Sequence, residues 1–287
     1  MQSWLRRHSG LVPYLFLLPG SLWLLVFFVA PMLIMASVSL QEGTLGTGYR
    51  LTFNFAVFPE VITRYSEQFL RSLEYGLIVT ILTLLIGYPM AYTIAFRGGR
   101  FKNVLLLLVI MPFFTSFIIR TISWKFILAD QGFVVGTLKD WGLVEEGFRI
   151  LATPAAVIAG ITYNFLPFVV LPLYVALEKI DYRLIEAATD LYASRLQAFL
   201  RVTLPLSIAG VFAASLLSFI PAVGDYINAE LLGGTRGTTM IGNVIQTLYL
   251  TNNDFPRASA LSLVLMIGLV IGIFIYTRVL RGRELTI

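Results

Sequence analysis

Cysteine is absent from these 287 residues, which excludes both a disulfide framework and a thiolate metal site. Histidine occurs only as His8, in the basic N-terminal tail, where a solvated side chain is expected rather than a ligand. The chain also lacks the Gly-x-x-x-x-Gly-Lys-Ser/Thr phosphate loop, and no Gly-Lys dipeptide occurs at all. We therefore expect no metal or cofactor in this chain. Because its apolar runs contain no paired carboxylates, an enzyme is not indicated either.

Charged residues are scarce, at 13% of the chain, whereas 57% is hydrophobic, a balance outside that of soluble globular domains. Six runs carry no charge: 9–41, 75–96, 103–119, 150–177, 202–224 and 258–277. All but the third reach the roughly 20 residues that cross a bilayer as a helix, and the third is long enough if Arg120 snorkels to the interface. The first run is too long for a cleaved signal core, so we expect a retained helix. The sequence therefore predicts an all-α polytopic bundle of six transmembrane helices.

Basic residues are distributed unevenly among the connecting loops. With the N-terminus inside, twelve of the 21 basic residues and only five of the sixteen acidic residues fall on the cytoplasmic side. Short loops rich in lysine and arginine face the cytoplasm, so both termini and the loop at 181–205 are predicted to lie there. The net charge of +5 then follows from topology and gives no reason to expect nucleic-acid binding. We expect one transmembrane domain over 1–287, with its core at about 70–280.

Local signals predict several helix boundaries. Thr153 before Pro154 predicts an N-cap with proline at the first helical position of span four. Span five, from Leu206 to about Pro221, is rich in glycine, alanine and serine, which allow close helix packing. In the external segment after span one, Pro59 is expected to mark a turn.

The loop between spans four and five has an amphipathic pattern. Apolar residues at i, i+3, i+4 and i+7 form one face of a helix from Asp181 to Leu191: Leu184, Ala187, Ala188 and Leu191. The opposite face carries Arg183, Glu186 and Asp190. Ser194 and Gln197 form a capping-box pattern that predicts a second helix running toward Pro205. Two short helices too polar to span lipid predict a projecting hairpin.

This hairpin resembles the cytoplasmic coupling loop of type I ABC-importer permeases, whose consensus reads Glu-Ala-Ala, three residues, Gly, nine residues, Ile-x-Leu-Pro. The matching residues are Glu186, Ala187, Ala188, Leu204 and Pro205, with Val202 in place of Ile. Tyr192 replaces the Gly, so it either adopts a different turn or carries strain of roughly 1–2 kcal/mol. The resemblance implies that the ATPase docks on these residues together with Asp190, Leu191 and Tyr192. The alternative is an interfacial amphipathic helix without a partner.

Further segments resemble the spermidine/putrescine branch of these permeases. They are Gly87 to Tyr92, Pro112 to Gly132, Leu166 to Phe168, Leu177 to Asp181 and Phe219 to Gly234. The resemblance implies a multi-pass subunit in a prokaryotic inner membrane that pairs with a second, similar permease. It also implies two ATPase subunits, which bind ATP and Mg, and an external solute-binding protein. Permeases for ferric iron, thiamine, sulfate and aminophosphonates share parts of the pattern, so those cargoes remain alternatives.

The ammonium groups of a polyamine need acceptor oxygens or aromatic faces along the path. The candidates for this role are Asp225, Tyr226 and Glu230 after span five, Glu74 and Tyr75 in span two, and Trp124 and Asp130 after span three. Among these candidates we favour Asp225 with Tyr226, and the alternative is that Asp225 is an exposed loop acid. Trp124 also suits the membrane interface, where span three is expected to end.

Arg120 would favour an anionic cargo, but a straight helix places it roughly 28 Å from Phe101, at the outer interface. There it is expected to snorkel or to pair with an acid. Phe113, Phe114 and Phe117 form either a hydrophobic gate or ordinary packing. The rival function is a stand-alone secondary transporter, which needs an ion-coupling acid, and none lies within the six runs.

Overall fold

A computed structural model describes residues 12–284 of the chain, with side chains from 16 to 278. The basic tail that contains His8 lies outside the described residues. The chain is 77% helical, and the described part has one two-stranded hairpin, which confirms the all-α class. It forms two compact units, one from residues up to 64 together with 245–275, the other from 65–244 together with the residues after 275. The single transmembrane domain stays a prediction.

The first unit contains the first and last apolar helices. Its elements are α1 (Val12–Leu24), a π-helical segment (Leu25–Val29), α2 (Ala30–Ser39), β1 (Gln41–Thr44), β2 (Gly48–Leu51) and α3 (Val57–Arg64), followed late in the chain by a π-helical segment (Thr247–Thr251) and the start of α14 (Phe255–Glu284). The strands pair antiparallel, with Gln41 opposite Leu51. The predicted turn at Pro59 is wrong, because Pro59 lies in the first turn of α3, where its missing N–H leaves no hydrogen bond unmade.

The second unit contains the remaining helices. They are α4 (Ser66–Arg97), α5 (Lys102–Ile110), α6 (Phe117–Ile127), α7 (Phe133–Asp140), α8 (Pro154–Glu178), α9 (Tyr182–Asp190), α10 (Arg195–Ala198), α11 (Leu204–Leu206), α12 (Ile208–Val223) and α13 (Ile241–Gln246), which reaches into the first unit. Short 3-10 segments are Gly99–Phe101 and Met111–Phe114, and π-helical segments are Phe199–Thr203 and Ala229–Gly233. As predicted, Thr153 caps α8, since its side chain accepts a hydrogen bond from the backbone N–H of Ala156.

Helices α4, α8 and α12 form the centre of the second unit. Val79, Ile161 and Leu173 are fully buried there. A Cβ added at Gly87 of α4 would lie 3.0 Å from the Val169 side chain of α8, so this valine packs directly against the α4 backbone. Small residues therefore permit the helix packing that lipid-embedded bundles use.

Four helices are long and apolar enough to cross a membrane: Phe16–Ser39, Ser66–Arg97, Pro154–Glu178 and Phe255–Arg278. Two further spans are bent pairs, Gly99–Phe114 with Phe117–Ile127 at 92° and Arg195–Leu206 with Ile208–Val223 at 69°. If each bent pair is one span, the described residues contain the predicted six. Span five thus bends at Ser207, one residue after its expected start.

The expectation of a straight third span was wrong. Thr115 adopts an extended conformation, and its hydroxyl donates to the carbonyl of Pro112 at 2.6 Å, which ends the helix before Ser116. The separation of roughly 28 Å between Phe101 and Arg120, which was estimated along a straight helix, is therefore wrong. Arg120 is only 8% exposed and does not snorkel to a surface. Trp124 is half-buried against the core of the second unit, where its ring centroid lies 5.3 Å from that of Tyr163.

Candidate functional site

The hairpin at 181–206 begins with a side-chain cap. The Asp181 carboxylate accepts a hydrogen bond of 3.0 Å from the backbone N–H of Arg183, and α9 begins at Tyr182. Such a cap satisfies one of the four N–H groups that lack a partner in the first turn of a helix. The predicted helix is therefore present, one residue shorter at each end.

The turn after α9 is a left-handed cap centred on Tyr192. The backbone N–H of Ala193 donates to the carbonyl of Ala188, and that of Tyr192 donates to Thr189, both at 3.0 Å. These are the two bonds of a Schellman motif, and Tyr192 has the positive φ of 62° that the motif requires. Tyr192 thus adopts the turn expected for glycine and carries the strain, rather than forming a different turn.

The second helix of the hairpin begins with the predicted capping box. The backbone N–H of Ser194 donates to the Gln197 side chain at 2.9 Å, and the backbone N–H of Gln197 donates to the Ser194 hydroxyl at 3.3 Å. The helix continues through Phe199–Thr203 to α11, which contains Leu204 and Pro205. The hairpin is therefore two helices joined by a tight turn, as the sequence predicts.

Most of the apolar hairpin residues are uncovered. Leu191 is 82% exposed and Tyr192 is 98% exposed, and Leu184, Ala187, Leu196 and Leu200 are also exposed. Ala188 is half-buried, whereas the acidic side chains of Glu186 and Asp190 are exposed. The inward anchors are Ile185 and Ala198, which are buried. The sequence pattern separated an apolar from a polar face but did not identify Ile185 as the buried residue.

A second site is a buried polar cluster of four residues in the second unit: Thr121, Asn164, Asn228 and Asp225. The side-chain amide of Asn164 donates to Asn228 Oδ1 at 3.0 Å and lies 3.2 Å from the Thr121 hydroxyl. The Thr121 hydroxyl lies 3.2 Å from the same Asn228 oxygen. The cluster joins α6, α8 and the segment after α12 through hydrogen bonds that are shielded from water.

Asp225 is a buried member of this cluster. It is 7% exposed, which overturns the alternative of an exposed loop acid. Its two oxygens accept hydrogen bonds of 2.8 Å from the backbone N–H and the side-chain amide of Asn228. Burial raises the pKa of Asp225 to about 6, although the hydrogen bonds from Asn228 lower it. Tyr226, its expected companion, is exposed.

The other predicted path residues do not join the cluster. Glu230 accepts a hydrogen bond of 3.3 Å from the Asn243 amide, which also donates to the backbone carbonyl of Tyr226. Glu74 is exposed, whereas the next residue, Tyr75, is buried in the core. Asp130 pairs with Arg149 at 3.0 Å in a half-exposed ion pair. Of the seven candidates only Asp225 lies in the cluster, and the sequence analysis missed Thr121, Asn164 and Asn228.

Asn164 carried a usable signal, because it is an amide in the middle of a charge-free run. A buried amide in an apolar helix requires hydrogen-bond partners. Among residues 16–278, no group of three His, Cys, Asp or Glu side chains is placed to hold a metal ion.

Arg120 lies next to Thr121 in α6 and faces aromatic rings. Its guanidinium carbon is 5.4 Å from the Phe113 ring centroid and 5.7 Å from that of Phe117. Its Nε and Nη1 atoms are buried and lack a hydrogen-bond partner within the described part of the chain. Phe113 and Phe117 therefore make cation–π contacts with the Arg120 guanidinium.

Comparison with known proteins places these features in a family. Residues 83–284 match the family described as "Binding-protein-dependent transport system inner membrane component". The chain is 39% identical over 266 residues to the "Spermidine/putrescine transport system permease protein PotB" of Haemophilus influenzae, covering 89% of this chain and 90% of that protein. It is 36% identical over 260 residues to the Escherichia coli K12 protein of the same name, covering 90% and 94%.

Solved structures share the fold. A chain of a bacterial ABC transporter involved in the import of the acidic polysaccharide alginate superposes with a TM-score of 0.74, covering 98% of this chain and 99% of that chain at 21% identity. A chain of the MetNI methionine ABC transporter in an inward-facing conformation gives 0.56, covering 76% and 94% at 21% identity. At this identity the likeness concerns architecture alone.

Proposed function

The chain belongs to the family of binding-protein-dependent transport system inner membrane components, and from that membership we propose that it forms half of the polyamine path in an ATP-driven importer. It is a membrane-embedded transport subunit rather than an enzyme, since ATP hydrolysis in such importers belongs to a separate subunit. The proposal extends to the cargo, the partner chains and the orientation in the membrane.

We propose a polyamine cargo because the chain is 39% and 36% identical to two spermidine/putrescine permeases over about nine-tenths of its length. Ferric iron, thiamine, sulfate and aminophosphonates are the alternatives. Among the described side chains, the buried guanidinium of Arg120 has two nitrogens without a hydrogen-bond partner, which favours an anion such as a phosphonate or sulfate.

The uncovered face of the hairpin supports docking of an ATPase subunit. Leu191, Tyr192 and Leu196 expose apolar surface beside the exposed carboxylate of Glu186. An apolar centre with a charged rim is what a protein interface presents. In our proposal two ATPase subunits dock from the cytoplasm, and a second, similar permease completes the path. An external binding protein delivers the cargo.

The buried cluster at Asp225 supports a role in the path. A carboxylate shielded from water attracts an ammonium group more strongly than one in solvent. Asn228 holds both carboxylate oxygens, and each has a further lone pair for a passing cation.

Transport by the purified complex tests the proposal. Proteoliposomes containing both permeases and the ATPase are supplied with the loaded binding protein outside, and labelled spermidine is followed. We expect uptake that requires ATP and is competed by putrescine. Uptake by this chain alone would support a secondary transporter instead. Displacement of spermidine from the binding protein by phosphonate, sulfate, thiamine or ferric iron would overturn the polyamine assignment.

A further inference from the structure

Three aromatic residues follow one another along α4 at intervals of four: Tyr88, Tyr92 and Phe96. Residues spaced by four lie above one another on the same side of a helix. All three are half-buried, and the ring centroids of Tyr92 and Phe96 are 4.9 Å apart. We call these three residues the aromatic ladder. Two of them belong to the Gly87–Tyr92 segment, to which the proposed function gives no role.

Both helices of the hairpin rest on this ladder. Phe199 of the second helix lies edge-on to Tyr88, with centroids 5.4 Å apart, and 6.4 Å from Tyr92. Tyr182, the first residue of α9, lies 5.7 Å from Phe96. Aromatic pairs at these separations attract each other beyond the area that they bury. The ladder therefore contacts the two ends of the hairpin through a single helix.

The ladder also reaches the bend of span five. The Tyr88 hydroxyl lies 2.7 Å from the Ser207 hydroxyl. Ser207 is fully buried and separates α11 from α12, where the chain turns by 69°. Because the Ser207 hydroxyl donates to the Leu204 carbonyl at 3.2 Å, its oxygen is left to accept a hydrogen bond from Tyr88.

A fixed helix lies behind the ladder. Ala91 is fully buried in a core cluster with Val169 and Val170 of α8. Gly87 approaches Val169 so closely that an added Cβ would sit 3.0 Å from its Cγ1 atom. Close-packed interiors transmit displacement rather than absorb it. A displacement of Phe199 is therefore expected to move α4 and the bend of span five, because side-chain rearrangement in this packed region cannot absorb it.

We propose that the aromatic ladder is the mechanical link between the hairpin and α12, and that the Tyr88–Ser207 hydrogen bond sets the angle of the bend. Tyr88 is thus a positioning residue, since it acts through Ser207 and touches no cargo. The inference rests on the proposed coupling role of the hairpin. It predicts that loss of this hydrogen bond lowers transport per ATP hydrolysed without loss of ATPase docking.

The test uses the reconstituted complex with Tyr88→Phe, Ser207→Ala and the double variant. Uptake of labelled spermidine and ATP hydrolysis are measured in the same vesicles, and the amount of ATPase bound is determined. We expect each single variant to lower the ratio of uptake to hydrolysis roughly fivefold, since one hydrogen bond is lost. The double variant should lower it no further, because both changes remove the same bond. Tyr92→Phe, which keeps both ring contacts of Tyr92, is the matched control and should retain the ratio.

The outcomes separate this link from the docking role. Glu186→Lys in the same assay alters the exposed docking face of the hairpin and leaves the ladder unchanged. If it lowers the ratio while Tyr88→Phe and Ser207→Ala do not, the ladder proposal fails and the coupling hairpin stands. If none of the three changes the ratio, the coupling role itself fails. Additive losses in the double variant would also overturn the link. If the Tyr88→Phe complex does not assemble, the result for Ser207→Ala decides the test, because this variant removes the Tyr88–Ser207 hydrogen bond through its other partner.

Discussion

Asn228 holds both oxygens of Asp225, one through its backbone N–H and one through its side-chain amide, each at 2.8 Å. The Oδ1 atom of the same amide accepts the hydrogen bond from Asn164, which fixes the orientation of the amide. The carboxylate is therefore held by a residue that is itself held by α8. An ammonium ion that approached Asp225 would meet an acceptor already in position, which is the condition for binding without a large reorganisation cost.

Asp225 makes stability depend on pH. Burial raises its pKa to about 6 from the ordinary value of 3.8, so the folded chain binds its proton more tightly than the unfolded chain. The stabilisation by protonation is complete below pH 4 and is lost as the pH rises through 6. We expect the purified complex to lose up to about 3 kcal/mol of unfolding free energy between these limits from this group.

Thermal unfolding between pH 4.5 and 7.5 measures the effect. Asp225→Asn keeps the shape of the side chain and removes its titration, so the matched difference between the two proteins isolates Asp225. If the two proteins change in parallel with pH, this carboxyl does not have a raised pKa.

Tyr192→Gly should stabilise the hairpin. The left-handed turn costs a tyrosine roughly 1–2 kcal/mol, and glycine removes that strain at the expense of a more flexible unfolded chain. We expect a net gain of about 0.5–1 kcal/mol, seen as a higher melting temperature or slower proteolysis within 181–206. Ala187→Gly is the control, because Ala187 has ordinary helical angles in the preceding helix. This variant should lose about 0.5–1 kcal/mol of stability. Destabilisation by both variants would mean that Tyr192 carries no strain.

Glu186→Lys should uncouple ATP hydrolysis from uptake while the protein remains in the membrane. Glu186 is exposed, so the change leaves the fold intact and reverses one charge on the docking face. Loss of a charged interface contact should lower uptake roughly tenfold or more, measured against the amount of protein in the membrane. Glu146→Lys, a charge reversal at another exposed residue in the loop after α7, is the control. Uptake unchanged in both variants would count heavily against docking at Glu186.

The hairpin and the loop after α7 should lie on opposite sides of the membrane. The absence of cysteine lets a single introduced thiol report its own location. Tyr192→Cys should be labelled by an impermeant maleimide only after the cells are opened, whereas Glu146→Cys should be labelled from outside intact cells. Labelling of Tyr192→Cys from outside would invert the topology and end the ATPase docking proposal.

The hairpin was predictable because its boundaries are set by hydrogen bonds within a few residues. Asp181, Ser194 and Gln197 each make the cap that their residue type favours, and no distant partner is needed. For Tyr192 the consensus left two outcomes open, a different turn or a strained one, and the positive φ of 62° selects the strained turn. What the pattern could not show was which side faced inward, since Ile185 is buried by tertiary packing.

The third span was mispredicted for the converse reason. The run is apolar on both sides of the break, and the break itself falls between Pro112 and Ser116, where the Thr115 hydroxyl competes for a backbone carbonyl. Once the helix ends there, Arg120 moves from an expected surface position to a buried one beside Phe113. Two partners of Asn228, Thr121 and Asn164, come from helices far away in sequence, so hydropathy and periodicity give no means of joining them to it.

The contact between Gly87 and Val169 limits how related sequences can vary. A methyl group at position 87 would require the valine to retreat by a few tenths of an ångström. That movement would displace α4 and with it the three rings on its flank. We therefore expect homologues with a larger residue at 87 to compensate with a smaller one at 169, so that the two positions change together over evolution.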